Sequence, residues 1–152
     1  MFVRDVMTTK VLTVRKDTSY KDIVSLLIRK RISGVPVIDH QRKVIGIISE
    51  KDLLYVLFPS QEEFYKDVNY YMDQDAVEKE AIKVKKLVAR DFMSKNVISV
   101  KPGDHVLTAC SLLITKNIRR LPVIENGELV GIVTSNSLYK DFLKKILKKR
   151  QK

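Results

Sequence analysis

The sequence predicts an α/β (α+β) fold in which one β-α-β-β-α unit is written twice within 152 residues. Three observations carry this. The chain repeats itself: Arg4, Asp5 and Met7 return as Arg90, Asp91 and Met93, Ser25-Leu26-Leu27-Ile28 as Ser111-Leu112-Leu113-Ile114, and Pro36-Val37-Ile38 as Pro122-Val123-Ile124, all at an offset of 86. One residue is dropped in a turn, and Gly46-Ile47 and Leu53 then match Gly131-Ile132 and Leu138 at an offset of 85. Each copy also holds two short β-rich runs, and each run pair is followed by a helix-start signature. Missing a repeat of this length would misread the whole fold.

Within each copy the elements can be justified in order. Residues 11–14 alternate apolar and polar, as an extended segment does. Thr18, or Asp104 in the second copy, is expected to N-cap a helix carrying Ile23, Leu26, Leu27 and Lys30. Cys110 takes the place of Val24 on that helix, which predicts a small packed residue rather than a nucleophile. Val35-Pro36-Val37-Ile38 and Val44-Ile45-Gly46-Ile47-Ile48 read as strands joined by a polar turn, with the proline predicting a strand start or edge. A helix follows from Glu50 to about Leu57, opened by Ser49 and Asp52 at capping-box spacing. A unit of some fifty to sixty residues buries little surface alone, so the copies are expected to pack together.

Residues 59–88 fall outside the repeat. Ser60 with Glu63 is a second capping-box signature, and Phe64, Val68 and Tyr71 continue it at helical spacing with a tyrosine-rich face (Tyr65, Tyr70, Tyr71). A linker helix is expected there. Stacking on nucleic-acid bases fits less well, because Glu62, Glu63, Asp67, Asp73 and Asp75 make this stretch acidic. Residues 76–87 show no decisive pattern.

Composition bounds the function. At 45% apolar and 31% charged residues the chain is an ordinary globular sequence. No apolar run reaches the roughly 18 residues of a membrane span, and the first residues lack an apolar signal core, so a cytoplasmic protein is expected. The single Cys110 permits no internal disulfide, and His40 and His105 stand apart from other soft ligands. No activated nucleophile, metal set or phosphate-loop spacing supports an enzyme. The formal charge of +11 is uneven: residues 140–152 hold seven basic residues against Asp141, a net +6. Such a tail attracts polyanions without naming one, and leaves a nucleic-acid-binding protein as the alternative reading.

The opening Arg-Asp-x-Met, the central Val-Pro-Val-Ile or Leu-Pro-Val-Ile and the closing Gly-Ile-Ile-Ser-x-x-Asp resemble a pair of cystathionine-β-synthase (CBS) domains, also called a Bateman module. The resemblance spans residues 1–58 and 89–142, leaving the 59–88 insert and the basic helix end at 143–152 outside it. It implies repeats joined through their sheets with pseudo-two-fold symmetry, two clefts that take adenine nucleotides or adenosyl compounds, a homodimeric disc, and a regulated partner protein. AMP, ADP or ATP is the ligand this implies, with S-adenosylmethionine and NAD in the same chemical range. The first cleft would comprise Ile47, Ser49, Lys51 and Asp52 with Val97, Ile98, Ile118, Arg119 and Arg120. In it Asp52 offers acceptor oxygens to ribose hydroxyls, Ser49 and the helix-start amides suit phosphate, and the arginines supply paired donors. The second would use Val11, Leu12, Ile32, Ser33 and Gly34 with Ile132, Thr134, Asn136 and Ser137. Here Ser137 replaces the carboxylate and Ser33-Gly34 replace the arginines, so this cleft is expected to be weak, empty or occupied by a neutral ligand.

Overall fold

The computed structural model describes residues 1–149; Arg150, Gln151 and Lys152, the end of the expected basic tail, lie outside the described residues. The chain divides into two compact units that cut across sequence order. One combines Thr13–Asp39 with Ile45–Val97, and the other combines Met1–Leu12 and His40–Val44 with the chain from Ile98 onward. The opening residues of each sequence copy therefore fold with the body of the other copy.

In the first unit, α1 (Tyr20–Lys30) turns Ile23 and Leu27, one helical turn apart, into a core shared with Val35, Val37, Ile48 and Leu53. Its N-cap is Ser19, whose hydroxyl accepts the Asp22 N–H at 3.1 Å. Thr18, the expected cap, instead accepts the Arg15 N–H at 2.9 Å and closes the preceding turn. The helix ends at Arg31 in the left-handed region, φ 53°. Strand β1 (Gly34–Ile38) is buried throughout and pairs with β2 (Val44–Ser49). Of the extended residues 11–14, Val14 alone joins the ladder as a one-residue parallel bridge to Val37. That bridge uses the Pro36 carbonyl and the Ile38 N–H, so the ring nitrogen of Pro36 is never asked to donate and the proline sits inside its strand without cost.

Helix α2 (Glu50–Leu57) follows, then α3 (Gln61–Lys66), α4 (Val68–Met72), α5 (Ala76–Val84) and α6 (Ala89–Phe92). The Ser60–Glu63 capping box forms as its spacing predicts, with Ser60 N–H to Glu63 at 2.9 Å and Glu63 N–H to Ser60 at 3.2 Å. The Ser60 N–H holds the Glu63 carboxyl below its ordinary range. The single amphipathic helix expected after it breaks at Asp67, whose carboxylate caps a new helix by accepting the Tyr70 N–H at 3.2 Å. The tyrosines face one another and the linker itself: Tyr70 donates to Glu80 at 3.0 Å, and Tyr70 and Tyr71 meet edge to face at 5.0 Å.

In the second unit, α7 (Val106–Thr115) lies over β3 (Arg120–Glu125) and β4 (Glu128–Thr134), an antiparallel pair closed by Asn126 and Gly127 at positive φ. Its N-cap is His105, whose Nδ1 accepts the Leu107 N–H at 3.2 Å; Asp104, expected there, accepts the Lys101 N–H instead. Val3, Val6, Val106, Leu113, Leu121 and Val133 form the core, and Cys110 packs against it with its thiol pushed up by burial. The described residues close with a continuous helical run: α8 (Ser135–Ser137), a π-helical turn over Leu138–Leu143, and α9 (Lys144–Lys149).

The repeated Met and Gly positions explain each other. In the first unit Ser94 and Ile47 exchange both backbone hydrogen bonds at 2.9 Å, and Met93 lies so close to Gly46 that a Cβ there would meet its sulfur at 2.5 Å. In the second, Thr8 and Ile132 make the same exchange at 2.9 Å, and Met7 would meet a Cβ on Gly131 at 2.6 Å. The glycine is the space that the methionine fills.

Candidate functional site

Strand β2 reaches its end in extended backbone at Ser49, and α2 begins at the next residue. Asp52 turns back onto this junction: one carboxylate oxygen, Oδ2, accepts the Ser49 N–H at 2.7 Å and the Ser49 hydroxyl at 3.1 Å. The Ser49 hydroxyl faces the Asp52 N–H at 3.4 Å, completing the capping box. Oδ1 makes no hydrogen bond among the described residues, and Asp52 is only half-buried. The capping and ligand-binding readings of Asp52 therefore do not compete, because a carboxylate has two oxygens and the cap consumes one.

The second unit shows the same junction with different chemistry. Thr134 and Ser137 cap reciprocally at 3.0 Å, and the Ser137 hydroxyl also donates to the Thr134 carbonyl at 2.9 Å. Its one proton and one of its two lone pairs are thus engaged within the turn. Where Asp52 keeps an oxygen and a charge in reserve, Ser137 has no proton left to donate.

The residues flanking each junction were assigned from sequence to opposite clefts, yet each unit holds one flank beside its own junction. In the first unit the Glu50 N–H donates to the Ser33 carbonyl at 3.0 Å, which sets Ser33 and the start of β1 at Gly34 beside the opening turn of α2. In the second the Ser135 N–H donates to the Arg119 carbonyl at 3.0 Å, and Arg120 stands opposite Thr134 in the β3–β4 register. Arg120 is 7% exposed and Arg119 lies at the surface. Ile47, Lys51, Val97 and Ile32 also belong to the first unit; Lys51 is exposed and the other three are half-buried. Val11, Leu12, Ile98, Ile118, Ile132 and Asn136 belong to the second, where Ile98 and Ile118 pack against the core. Sequence reasoning missed Arg42, a positive-φ residue in the longer turn of the first copy. Its guanidinium donates to the Leu129 carbonyl at 3.2 Å, and its own carbonyl accepts the Leu129 N–H at 3.0 Å. The extra residue in that turn was the visible signal.

Among the described residues no group of three or more His, Cys, Asp or Glu side chains could hold a metal ion, and no helix is long and apolar enough to cross a membrane.

Two α+β repeats, each ending in a strand-to-helix junction with a hydroxyl cap, define a tandem-repeat class of protein, and comparison with known proteins identifies the family. The CBS domain model matches residues 3–59 and 89–144, and the chain belongs to the CBS domain family as a tandem pair. It is 32% identical to the protein MJ1426 of Methanocaldococcus jannaschii, covering 91% of this chain and 89% of that one. It is 31% identical to CBSX2, a chloroplastic CBS domain-containing protein of Arabidopsis thaliana, over 82% of this chain and 56% of that one. A crystal structure of CBSX2 in complex with AMP superposes with a TM-score of 0.74 at 28% identity, covering 95% of this chain and 98% of that one.

Proposed function

We propose that the chain is a non-catalytic regulatory module that senses an adenine nucleotide or adenosyl compound and passes occupancy on to a partner protein. The observation that carries this reading is the Asp52 carboxylate, held rigid through Oδ2 while Oδ1 stays open beside Ser49 at a helix start. A diol recognised by a fixed, charged acceptor is the chemistry of a ribose. The similarity to CBSX2, whose structure contains AMP, supports an adenosyl ligand. Ser49, Lys51 and Asp52 are assigned to sugar and phosphate, and Ile47 and Val97 of the same unit to the base. The Thr134–Ser137 junction, with its hydroxyl engaged, is assigned weak binding or none.

The experiment is a thermal-shift screen with AMP, ADP, ATP, S-adenosylmethionine and NAD. A ligand at a hundred times its Kd stabilises the folded state by about 2.7 kcal/mol. For a chain of this length that moves Tm by roughly 5–10 °C. No shift with any of the five would overturn the reading.

The module is further assigned a homodimer. Ile28 and Ile114, at equivalent positions of the two copies, are 72% and 78% exposed, and Leu54 and Tyr139 repeat the pattern one helix later. Exposed apolar residues that recur at repeat-related positions fit self-association. Ile28→Glu with Ile114→Glu is expected to leave a folded monomer by light scattering; an unchanged mass would remove these residues from the interface.

A further inference from the structure

Beyond ligand sensing, we propose that the C-terminal helix docks the protein on a membrane surface carrying anionic lipid. The helical run begins in the core, where Leu138 is buried and Phe142 packs against the second-unit cluster, so the helix is anchored to the body at its start. Past that anchor, Leu143, Ile146 and Leu147 are 44%, 41% and 67% exposed. Their spacing of three and four residues lines them up on one side. Lys140, Lys144, Lys145 and Lys148 are exposed around them, and none pairs with an acid among the described residues. An exposed apolar stripe bordered by lysines is the form of a helix that lies in the headgroup layer, with apolar side chains reaching the acyl boundary and ammonium groups meeting lipid phosphates.

Charge complementarity selects this occupant over two others. A symmetric contact with a second copy would bring the two lysine rows together, with Asp141 the sole acid of residues 140–149 to offset them. A nucleic-acid groove would satisfy the lysines but leave Leu143, Ile146 and Leu147 facing phosphate and water. Residues 138–149 also carry no arginine, asparagine or glutamine to read base edges. A lipid surface uses both rows at once. The CBS model match ends at residue 144, so most of this stripe lies beyond the repeat and is independent of the ligand site.

The test is co-sedimentation of the full chain with phosphatidylcholine vesicles containing phosphatidylserine, against pure phosphatidylcholine, with far-UV circular dichroism and melting as folding controls. The chain should bind the anionic vesicles and leave the neutral ones largely unbound. Each lysine near such a surface contributes roughly fivefold to partitioning. Combining Lys144→Glu, Lys145→Glu and Lys148→Glu should therefore weaken binding by at least about a hundredfold. Combining Ile146→Ser with Leu147→Ser, which leaves every charge in place, should weaken it by about tenfold or more. Failure of the unaltered chain to bind anionic vesicles overturns the proposal. So does a serine variant that binds vesicles as well as the original, since the contact would then be that of any polycation. Loss of dimer mass in the serine variant, with no vesicle binding by the original chain, would instead assign the stripe to an interface between copies.

Discussion

Asp52→Asn is expected to reduce adenosyl-ligand affinity by at least about a hundredfold, because hydrogen bonds to a charged group contribute about 1.5–3 kcal/mol each and a ribose diol makes two. The asparagine can still accept the Ser49 N–H through its side-chain oxygen, so the cap should survive and the free protein should melt close to the original. Asp52→Ala removes both roles; losing the cap costs about 1 kcal/mol, and a general loss of stability would then obscure the loss of ligand. Calorimetry on the asparagine variant separates the two. Affinity within a few-fold of the original would show that Oδ1, open beside Ser49, is not where the sugar binds.

Gly131→Val should destabilise the chain by roughly 1–3 kcal/mol, the range for overpacking a closed site. A Cβ on Gly131 meets the Met7 sulfur at 2.6 Å and the Thr8 carbonyl oxygen at 3.2 Å, so both a side chain and the backbone of the opening segment must move. Met7→Ala should recover part of the loss, since it reopens the space, whereas the Thr8 backbone contact remains. Urea denaturation of the two single variants and the double measures this. Additive effects would mean that Met7 does not fill the glycine's space. The stronger consequence is structural: the Thr8–Ile132 exchange ties Met1–Leu12 to the second unit, and loosening it exposes residues that belong to the other copy in sequence.

Much of this architecture was legible because local chemistry and tertiary structure agree. Pro36-Val37-Ile38 and Pro122-Val123-Ile124 lie in β1 and β3, and the Ser49–Asp52 and Ser60–Glu63 spacings give capping boxes. Errors arose where two neighbouring residues could do the same task. Thr18 and Ser19 both carry hydroxyls, and the turn at Arg15 takes the first while α1 takes the second. Asp104 is drawn to Lys101, which leaves the cap of α7 to His105. The break at Asp67 was hidden because an aspartate inside a helical pattern is tolerated until its carboxylate finds a new N-terminus to cap. The exchange of opening segments between units was out of reach of local pattern, since it rests on backbone pairing across a long sequence separation. Yet Gly46 and Gly131, placed inside strands, were its visible trace. At the candidate site the residue types could be read in order. What could not be read is how each oxygen is spent: one of two on Asp52, and the only proton of the Ser137 hydroxyl.

The inequality of the two junctions is tested most directly by calorimetric titration of the chain with AMP, alongside Asp52→Asn and Ser137→Ala. One binding event per chain, lost in the first variant and kept in the second, is the predicted result. Two events of equal affinity per chain, or binding that survives Asp52→Asn and fails in Ser137→Ala, would contradict it.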